Sequence, residues 1–260
     1  MTHKEIAVEF RGDAQQVAVI RLMRATKRNA LSDGLVLGLR DVFMNLPASV
    51  RAAVVDGDGP HFCAGLDLSE LSERDAAQGV LHSRMWHEAL RQVQFGAVPV
   101  VAALHGAVVG GGLELASACH IRVADSSTFY ALPEGSRGIF VGGGGSVRIP
   151  RLIGAARMAD MMFTGRVYKA EEGERIGLSQ YLVPEGQALD KAVELALRIA
   201  ENAPMTNYAL MHALPRIADQ PADQGLMTEA LMAAVAQSAP EAKFRLQEFL
   251  AGRAAKVSKD

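Results

Sequence analysis

The chain has 260 residues, enough for one large domain or one domain with a small appendage. Hydrophobic residues make up 49% and charged residues 22%, and the formal net charge is −2 from 27 basic and 29 acidic side chains. That balance argues against a nucleic-acid or membrane-surface protein, and a core of this size needs no disulfide or metal to stay folded.

The first ten residues carry Lys4, Glu5 and Glu9. They have neither the apolar core of a secretory signal nor an Arg-rich transit pattern, so a cytoplasmic protein is expected. Residues 7–10 and 17–22 read as short strands, enriched in apolar and β-branched side chains. The loop at 23–29 holds Arg24, Lys27 and Arg28. Ser32 then suits the N-cap of a helix running to about residue 46, with Asp33 at its positive end. Residues 52–56 form a continuous apolar run, as expected of a strand buried on both faces. The sequence DGDGP at 56–60 breaks it.

A helix is expected over 80–95 and a buried strand over 98–104. The apolar run 98–113 is interrupted by His105 and by glycines, and is too short to cross a bilayer. Residues 110–119 open on three glycines and turn apolar-helical, and 121–124 and 128–131 are again strand-like. Strands alternating with crossover helices predict an α/β fold with a mainly parallel sheet. From about residue 189 the character changes. Residues 188–202, 205–214 and 225–237 are alanine- and methionine-rich helical patterns without strands between them. The expected organisation is a core over 1–195 that carries the active site, followed by a helical region over 196–260. Residues 253–260 read as a frayed terminus. Cys63 and Cys119 belong to no CxxC or Cys/His array and read as buried reduced thiols.

Two glycine-rich stretches each have a carboxylate beside them: Gly110-Gly111-Gly112-Leu113-Glu114, and Pro133-Glu134 followed by Gly142 to Gly145. Neither has dinucleotide spacing or a phosphate-loop lysine. Glycines entering a helix can present backbone N–H groups directly to a ligand, reinforced by the helix N-terminus. A thioester carbonyl that becomes an enolate needs such donors. Gly111 is placed to be one, and the loop from His61 to Asp67 is the best source of a second. Two carboxylates at one centre are driven apart in pKa, so one can accept a proton while the other donates. Singly, Glu114 also reads as a solvated helix residue and Glu134 as a turn residue, although Glu114 sits in an almost wholly apolar stretch.

Four stretches together resemble the crotonase superfamily, specifically its enoyl-CoA hydratase/isomerase family, along nearly the whole chain. They are Arg28-Asn29-Ala30-Leu31-Ser32, then Phe62-Cys63-Ala64-Gly65-Leu66-Asp67-Leu68. The other two are the GGGLELA run at 110–116, and Pro133-Glu134 through Gly145 with RIPRLIG at 148–154. The two glutamates are 20 residues apart, as in hydratases of that family. The resemblance implies a spiral of ββα units with a helical C-terminal region for trimerisation, assembled as a homotrimer or homohexamer. It implies an oxyanion hole from the N–H groups of Leu66 and Gly111, catalysis by Glu114 and Glu134, and a water placed with help from Gly142. Coenzyme A is implied as part of the substrate rather than as a cofactor, bound by Arg28, Cys63, Ala64, Gly65, Asp67, Leu68 and Phe249. No metal is implied.

The chain also departs from the family pattern. Ser69 stands where many relatives have a lysine, leaving Arg24, Lys27 and Arg28 as candidates for phosphate. Gly252 replaces another common lysine, with Arg253 beside it. Val141 replaces a frequent proline, and His120 stands where aspartate is common. His61 and His105 flank the expected loops as structural or solvent-facing residues. The acyl pocket is expected around 71–86 and 137–141, with Trp86 and Phe140 as possible walls.

The same scaffold hosts several acyl-CoA reactions. Retention of both glutamates points to water addition. Thioester hydrolysis is the main alternative, including hydration followed by hydrolysis of a substituted acryloyl-CoA such as a methylthio-acryloyl thioester. Double-bond isomerisation needs only the carboxylate at 134. An RNA-binding role would need a basic helix, and 32–46 has only Arg40, offset by Asp33 and Asp41.

Overall fold

The computed structural model describes residues 4–70 and 73–253. The chain divides into two compact units, one reaching to Ala200 and the other beginning at Glu201. Residues 71 and 72 of the expected pocket wall, and 254–260 of the expected frayed tail, lie outside the described residues.

The first unit opens with the hairpin β1 (Ile6–Arg11) and β2 (Val17–Leu22), followed by α1 (Asp33–Met44), β3 (Ala52–Gly57), α2 (Ala76–Phe95) and β4 (Val100–Leu104). Next come β5 (Ala107–Val109), α3 (Gly111–Ala118), β6 (Ile121–Asp125) and β7 (Phe129–Ala131). The unit closes with α4 (Gly145–Ile153), α5 (Ala155–Thr164), β8 (Tyr168–Lys169), α6 (Ala170–Ile176), β9 (Tyr181–Val183) and α7 (Ala188–Glu201). The larger sheet has the order β1-β2-β3-β4-β6-β9 and is parallel except for the β1–β2 hairpin. A small sheet pairs β5 with β7 in parallel and β7 with β8 antiparallel.

Period-two alternation explains why β4, and β2 and β3 up to Arg21 and Asp56, are apolar on both faces. Ala18, Ile20, Ala53, Val55, Val100 and Ala102 face one core with Leu35, Leu39, Leu90, Leu113 and Leu115 of the helices. Val17, Val19, Ala52, Val54, Val101 and Ala103 face a second core with Ala188, Ala192, Leu195 and Ala196 of α7. A sheet covered on both faces needs apolar residues on both.

The helix starts follow local chemistry. The Ser32 hydroxyl accepts from Leu35 N at 3.1 Å, as expected for α1. By contrast, α2 begins at Ala76, a turn before the start read from sequence. Asp75 and Gln78 form a reciprocal capping box that satisfies the first amides despite the polar residues around it. The short strand β5 was masked by its place inside a long apolar run, and β8 and β9 by their brevity.

The second unit contains α8 (Pro204–Tyr208), a π turn (Ala209–Ala213), α9 (Leu214–Ala218), α10 (Ala222–Ser238) and α11 (Pro240–Leu250). The last of these lay beyond the helical patterns read from sequence, and Pro240 at its first turn fits a helix start. No helix among the described residues is long and apolar enough to cross a membrane.

Candidate active site

Two loops bring two backbone donors side by side. After β3, the chain must turn sharply past its own end. A Cβ at Gly57 would lie 2.5 Å from the Phe62 carbonyl oxygen, so only glycine fits there. The loop is held from outside by Asn29, whose side-chain N–H groups donate to Asp58 O at 2.8 Å and His61 O at 2.7 Å. It then runs beside β5, where Cys63 N donates to Ala107 O and Val109 N to Cys63 O. On its other side Leu31 N donates to Gly65 O at 2.7 Å, and Asp67 N to Leu31 O at 2.9 Å. Gly65 adopts φ +98°, and a Cβ there would lie 2.8 Å from Val109 O.

This leaves Leu66 N–H without a backbone acceptor among the described residues. Gly111, the first residue of α3, likewise has no acceptor within its helix. The direction that a Cβ of Gly111 would take ends 3.5 Å from Leu66 N. Two unspent donors therefore border one small space, with the helix N-terminus behind one of them. The edge of the Trp86 indole forms a wall, 3.4 Å from the same Cβ position. Trp86 Nε1–H donates to Asp33 Oδ1 at 3.0 Å, which fixes the ring.

Glu114 sits on the first turns of α3 and is buried, at 4% exposure. Its Oε1 accepts from both Gly143 N and Gly145 N at 2.8 Å. A Cβ at Gly145 would lie 2.8 Å from Glu114 Cγ, so the glycine run allows this approach. Burial pushes the carboxyl pKa up. The amides of Gly145, Gly143 and Gly142 and the positive charge of Arg148 pull against that rise. Arg148, on α4, donates from Nη1 to Gly143 O and from Nε to Gln94 Oε1, at 2.8 and 2.7 Å.

Glu134 follows β7 and is equally buried, at 7% exposure. Its Oε1 lies against Gly110, where a Cβ would approach to 2.7 Å. Its Oε2 has no hydrogen-bond partner among the described residues. Burial raises its pKa, and the nearby charge of Glu114 raises it further. Its own amide and Arg137 oppose this.

The other residues singled out from sequence are distributed more widely. Cys63 and Cys119 are buried, and burial pushes both thiols up to about 12, so neither is a nucleophile at neutral pH. Asp67 is 5% exposed and pairs with Arg24 Nη2 and Lys27 Nζ at 2.8 Å each. The Lys27 ammonium, the Ser69 hydroxyl and Arg24 hold its carboxyl well below the usual carboxylate range. The Asp67 carboxylate is thus spent on pinning this loop to residues 24–27. Arg28 is exposed with a left-handed backbone, φ 53°. Ala64 N donates to Arg28 O, and Leu68 is exposed at the end of the loop. Gly142 stands near Ser83, whose hydroxyl would be 3.2 Å from a Cβ there. Phe140 is exposed on its surface, and Phe249 is exposed on α11 in the second unit. His61 Nδ1 accepts from Ala107 N, and His105 Nε2 lies 3.1 Å from Gly59 O, so both brace loops. Sequence reading missed Gly143, Gly145, Arg148 and Gln94. Only the glycine run hinted at the first two; Arg148 opens the family-like RIPRLIG stretch without a role being read for it, and nothing local marks Gln94.

No group of three or more His, Cys, Asp or Glu side chains among the described residues could hold a metal. The architecture is the crotonase fold, an α/β core with a helical C-terminal region. Residues 12–258 match the enoyl-CoA hydratase/isomerase family profile, and the chain belongs to that family. It is similar to the short-chain-enoyl-CoA hydratase of Clostridium acetobutylicum, 32% identical over 204 residues that cover 77% of this chain and 78% of that one. It is 44% identical over 154 residues to a fatty acid oxidation complex subunit alpha of Shewanella amazonensis. The match covers 58% of this chain but spans only 22% of the length of that relative. Among solved structures, a Rhodopseudomonas palustris protein provisionally assigned as an enoyl-CoA hydratase has a TM-score of 0.93 at 58% identity, covering 97% of each chain. An enoyl-CoA hydratase of Bacillus anthracis has a TM-score of 0.89 at 30% identity, covering 99% of this chain and 100% of that one.

Proposed function

We propose that this protein adds water across the double bond of an α,β-unsaturated acyl-CoA thioester. The observation that carries the proposal is the contrast between two buried glutamates beside two unspent backbone donors. Glu114 has two amide N–H groups on one oxygen, which favour its ionised form. Glu134 has an unpartnered oxygen in a desolvated position, which favours its protonated form. At rest, Glu114 is then the base and Glu134 the acid.

In this reading the thioester oxygen sits between the N–H groups of Leu66 and Gly111. As the water oxygen bonds to Cβ, Glu114 takes a proton from that water. The π electrons shift toward the thioester, and the two N–H groups bind the developing enolate oxygen. Glu134 delivers its proton to Cα. The product gains the oxygen and one hydrogen of the water at Cβ and the Glu134 proton at Cα; the proton left on Glu114 passes by exchange to Glu134, which restores both glutamates. Gly142 supports the water alongside its glycine neighbours.

Coenzyme A enters as part of the substrate, with no separate cofactor. Residues 63–68 and Arg28 border its path, and Phe249 is the contact offered from a neighbouring subunit of the assembly. A homotrimer or homohexamer in the cytoplasm is the assembly and location that fit this reading. Crotonyl-CoA is the first substrate to test, because a similar protein is a short-chain hydratase. Purified protein should consume the enone without releasing free thiol. Thiol release in step with enone loss would replace this reading with hydrolysis, and double-bond migration without hydration would replace it with isomerisation.

A further inference from the structure

Arg148 is a partly buried cation between two elements that meet at the site. Its guanidinium has two fixed partners. Nη1–H donates to Gly143 O at 2.8 Å, and Nε–H to Gln94 Oε1 at 2.7 Å. The backbone carbonyl of Gln94 faces His120 Nε2 at 3.0 Å, while His120 Nδ1 accepts from Val100 N at 3.0 Å. The chain of contacts therefore runs from the β4 entry, through the end of α2, to the Gly143 peptide. The N–H of the same glycine, in the preceding peptide unit, donates to Glu114 Oε1.

We propose that Arg148 is a positioning residue for Glu114: it clamps the Gly143 carbonyl, and with it the turn through residues 142–145, so that the Gly143 and Gly145 amides stay aimed at the carboxylate. The role rests on the proposed hydration reading, in which Glu114 is the base. An arginine suits it because Gln94 Oε1 anchors the planar guanidinium at Nε while Nη1 holds Gly143 O, two fixed points that a single ammonium cannot offer. A glycine run has little stiffness of its own. Without a clamp, the amides of residues 143 and 145 have no reason to converge on one oxygen.

The titratable groups facing this pair are few. Glu114 faces Glu134 from the segment after β7 and Arg148 from α4. Arg148 faces Glu114 and the Cys119 thiol, which burial keeps neutral. Gln94, from α2, is uncharged. Losing the Arg148 cation therefore leaves only the glycine amides to offset the burial of Glu114. Its pKa must then rise.

The test compares wild type with Arg148→Met, Arg148→Lys and Gln94→Leu, each checked for a cooperative melting transition. In Arg148→Met the acid limb of kcat/KM should move up by about one pH unit, the low end for losing a nearby opposite charge. Its kcat should fall at least about tenfold, within the range that misplacing a catalytic group costs. In Arg148→Lys the limb should stay near wild type while kcat still falls several-fold. Gln94→Leu should lower kcat at unchanged KM, and it carries the test if Arg148→Met does not fold. A carboxyl titration by 13C NMR of glutamate-labelled protein, with the Glu114 signal identified by its loss in Glu114→Gln, needs no turnover. A Glu114 midpoint unmoved in Arg148→Met overturns the proposal even if hydration is observed. If Arg148→Met is unfolded, wild-type kcat in Gln94→Leu overturns it. A raised midpoint in a protein that does not hydrate enoyl-CoA would support the clamp and sink the hydratase reading instead.

Discussion

Glu114 and Glu134 share one buried site yet differ in what their oxygens touch. One oxygen of Glu114 takes two amide protons at 2.8 Å, whereas one oxygen of Glu134 takes none from the described residues. Burial raises both pKa values; glycine amides and Arg148 oppose the rise at Glu114, its own amide and Arg137 oppose it at Glu134, and the charge of Glu114 adds to the rise at Glu134. In the proposed hydration, the division of labour between base and acid rests on this difference.

Replacing either carboxyl with its amide removes one half of that division. Glu114→Gln and Glu134→Gln should each lower crotonyl-CoA hydration by on the order of a hundredfold or more, the usual contribution of a positioned acid or base. Loss of enone absorbance under saturating substrate checks this. Near-wild-type turnover in both variants would rule out the mechanism.

The same burial has a price in stability. A carboxyl whose folded pKa is raised binds more protons in the folded state than in the unfolded state, so stability falls as pH rises past the unfolded value, about 4.3 for glutamate. Glu134→Gln should therefore raise Tm at pH 8, by roughly 2–4 °C for each kcal/mol gained in a domain of this size. The gain should shrink as pH falls toward 4. Differential scanning calorimetry at several pH values measures it, and an equal Tm difference at all pH values would contradict the assignment.

Two neighbouring glycines should respond differently to a methyl group. At Gly111 a Cβ meets only ordinary contacts, 3.4 Å from Trp86 and 3.5 Å from Leu66 N. Gly111→Ala should therefore fold normally while crowding the space between the two donors. Its kcat/KM should fall on the order of 10²–10³-fold, the loss seen when one oxyanion donor is removed. At Gly112 a Cβ would stand 2.3 Å from the Cys63 carbonyl oxygen, a backbone atom with little room to move. Gly112→Ala should lower Tm sharply or prevent folding. Comparing melting curves with kinetics separates the two effects.

Asp67 gives a prediction of opposite sign at low pH. Its depressed pKa, set by Lys27, Ser69 and Arg24, contributes stability that is present above the unfolded value of about 3.9 and lost as pH falls toward the folded one. Asp67→Asn should be less stable than wild type at pH 7, and the difference should close as the acid is titrated. Acid unfolding followed by circular dichroism tests this. A difference that does not narrow between pH 5 and pH 2 would mean that the ion pairs with Arg24 and Lys27 do not stabilise the loop.

Much of the fold was readable locally. Strands β2 and β3 announced themselves as apolar runs, and the start of α1 as a serine before an amphipathic pattern. The start of α2 was misread because its cap is a polar pair in a polar stretch. The strand β5 was hidden inside a longer apolar run. For the site, glycines before an apolar helix marked Gly111 and Glu114 as worth examining, and the four family-like stretches added Leu66 and Glu134.

The sequence by itself determined that a glutamate would lie inside an apolar helix, because almost nothing around Glu114 could face water. It also determined that glycine would open that helix. Only the tertiary structure decided what the glutamates would meet. The amides holding Glu114 are 29 and 31 residues away from it along the chain, and Gln94 is 54 residues from the Arg148 it braces. Local patterns report which side chains must be hidden from water. Which polar partners converge on a hidden carboxylate depends on how distant segments pack, and that packing separates the two glutamates.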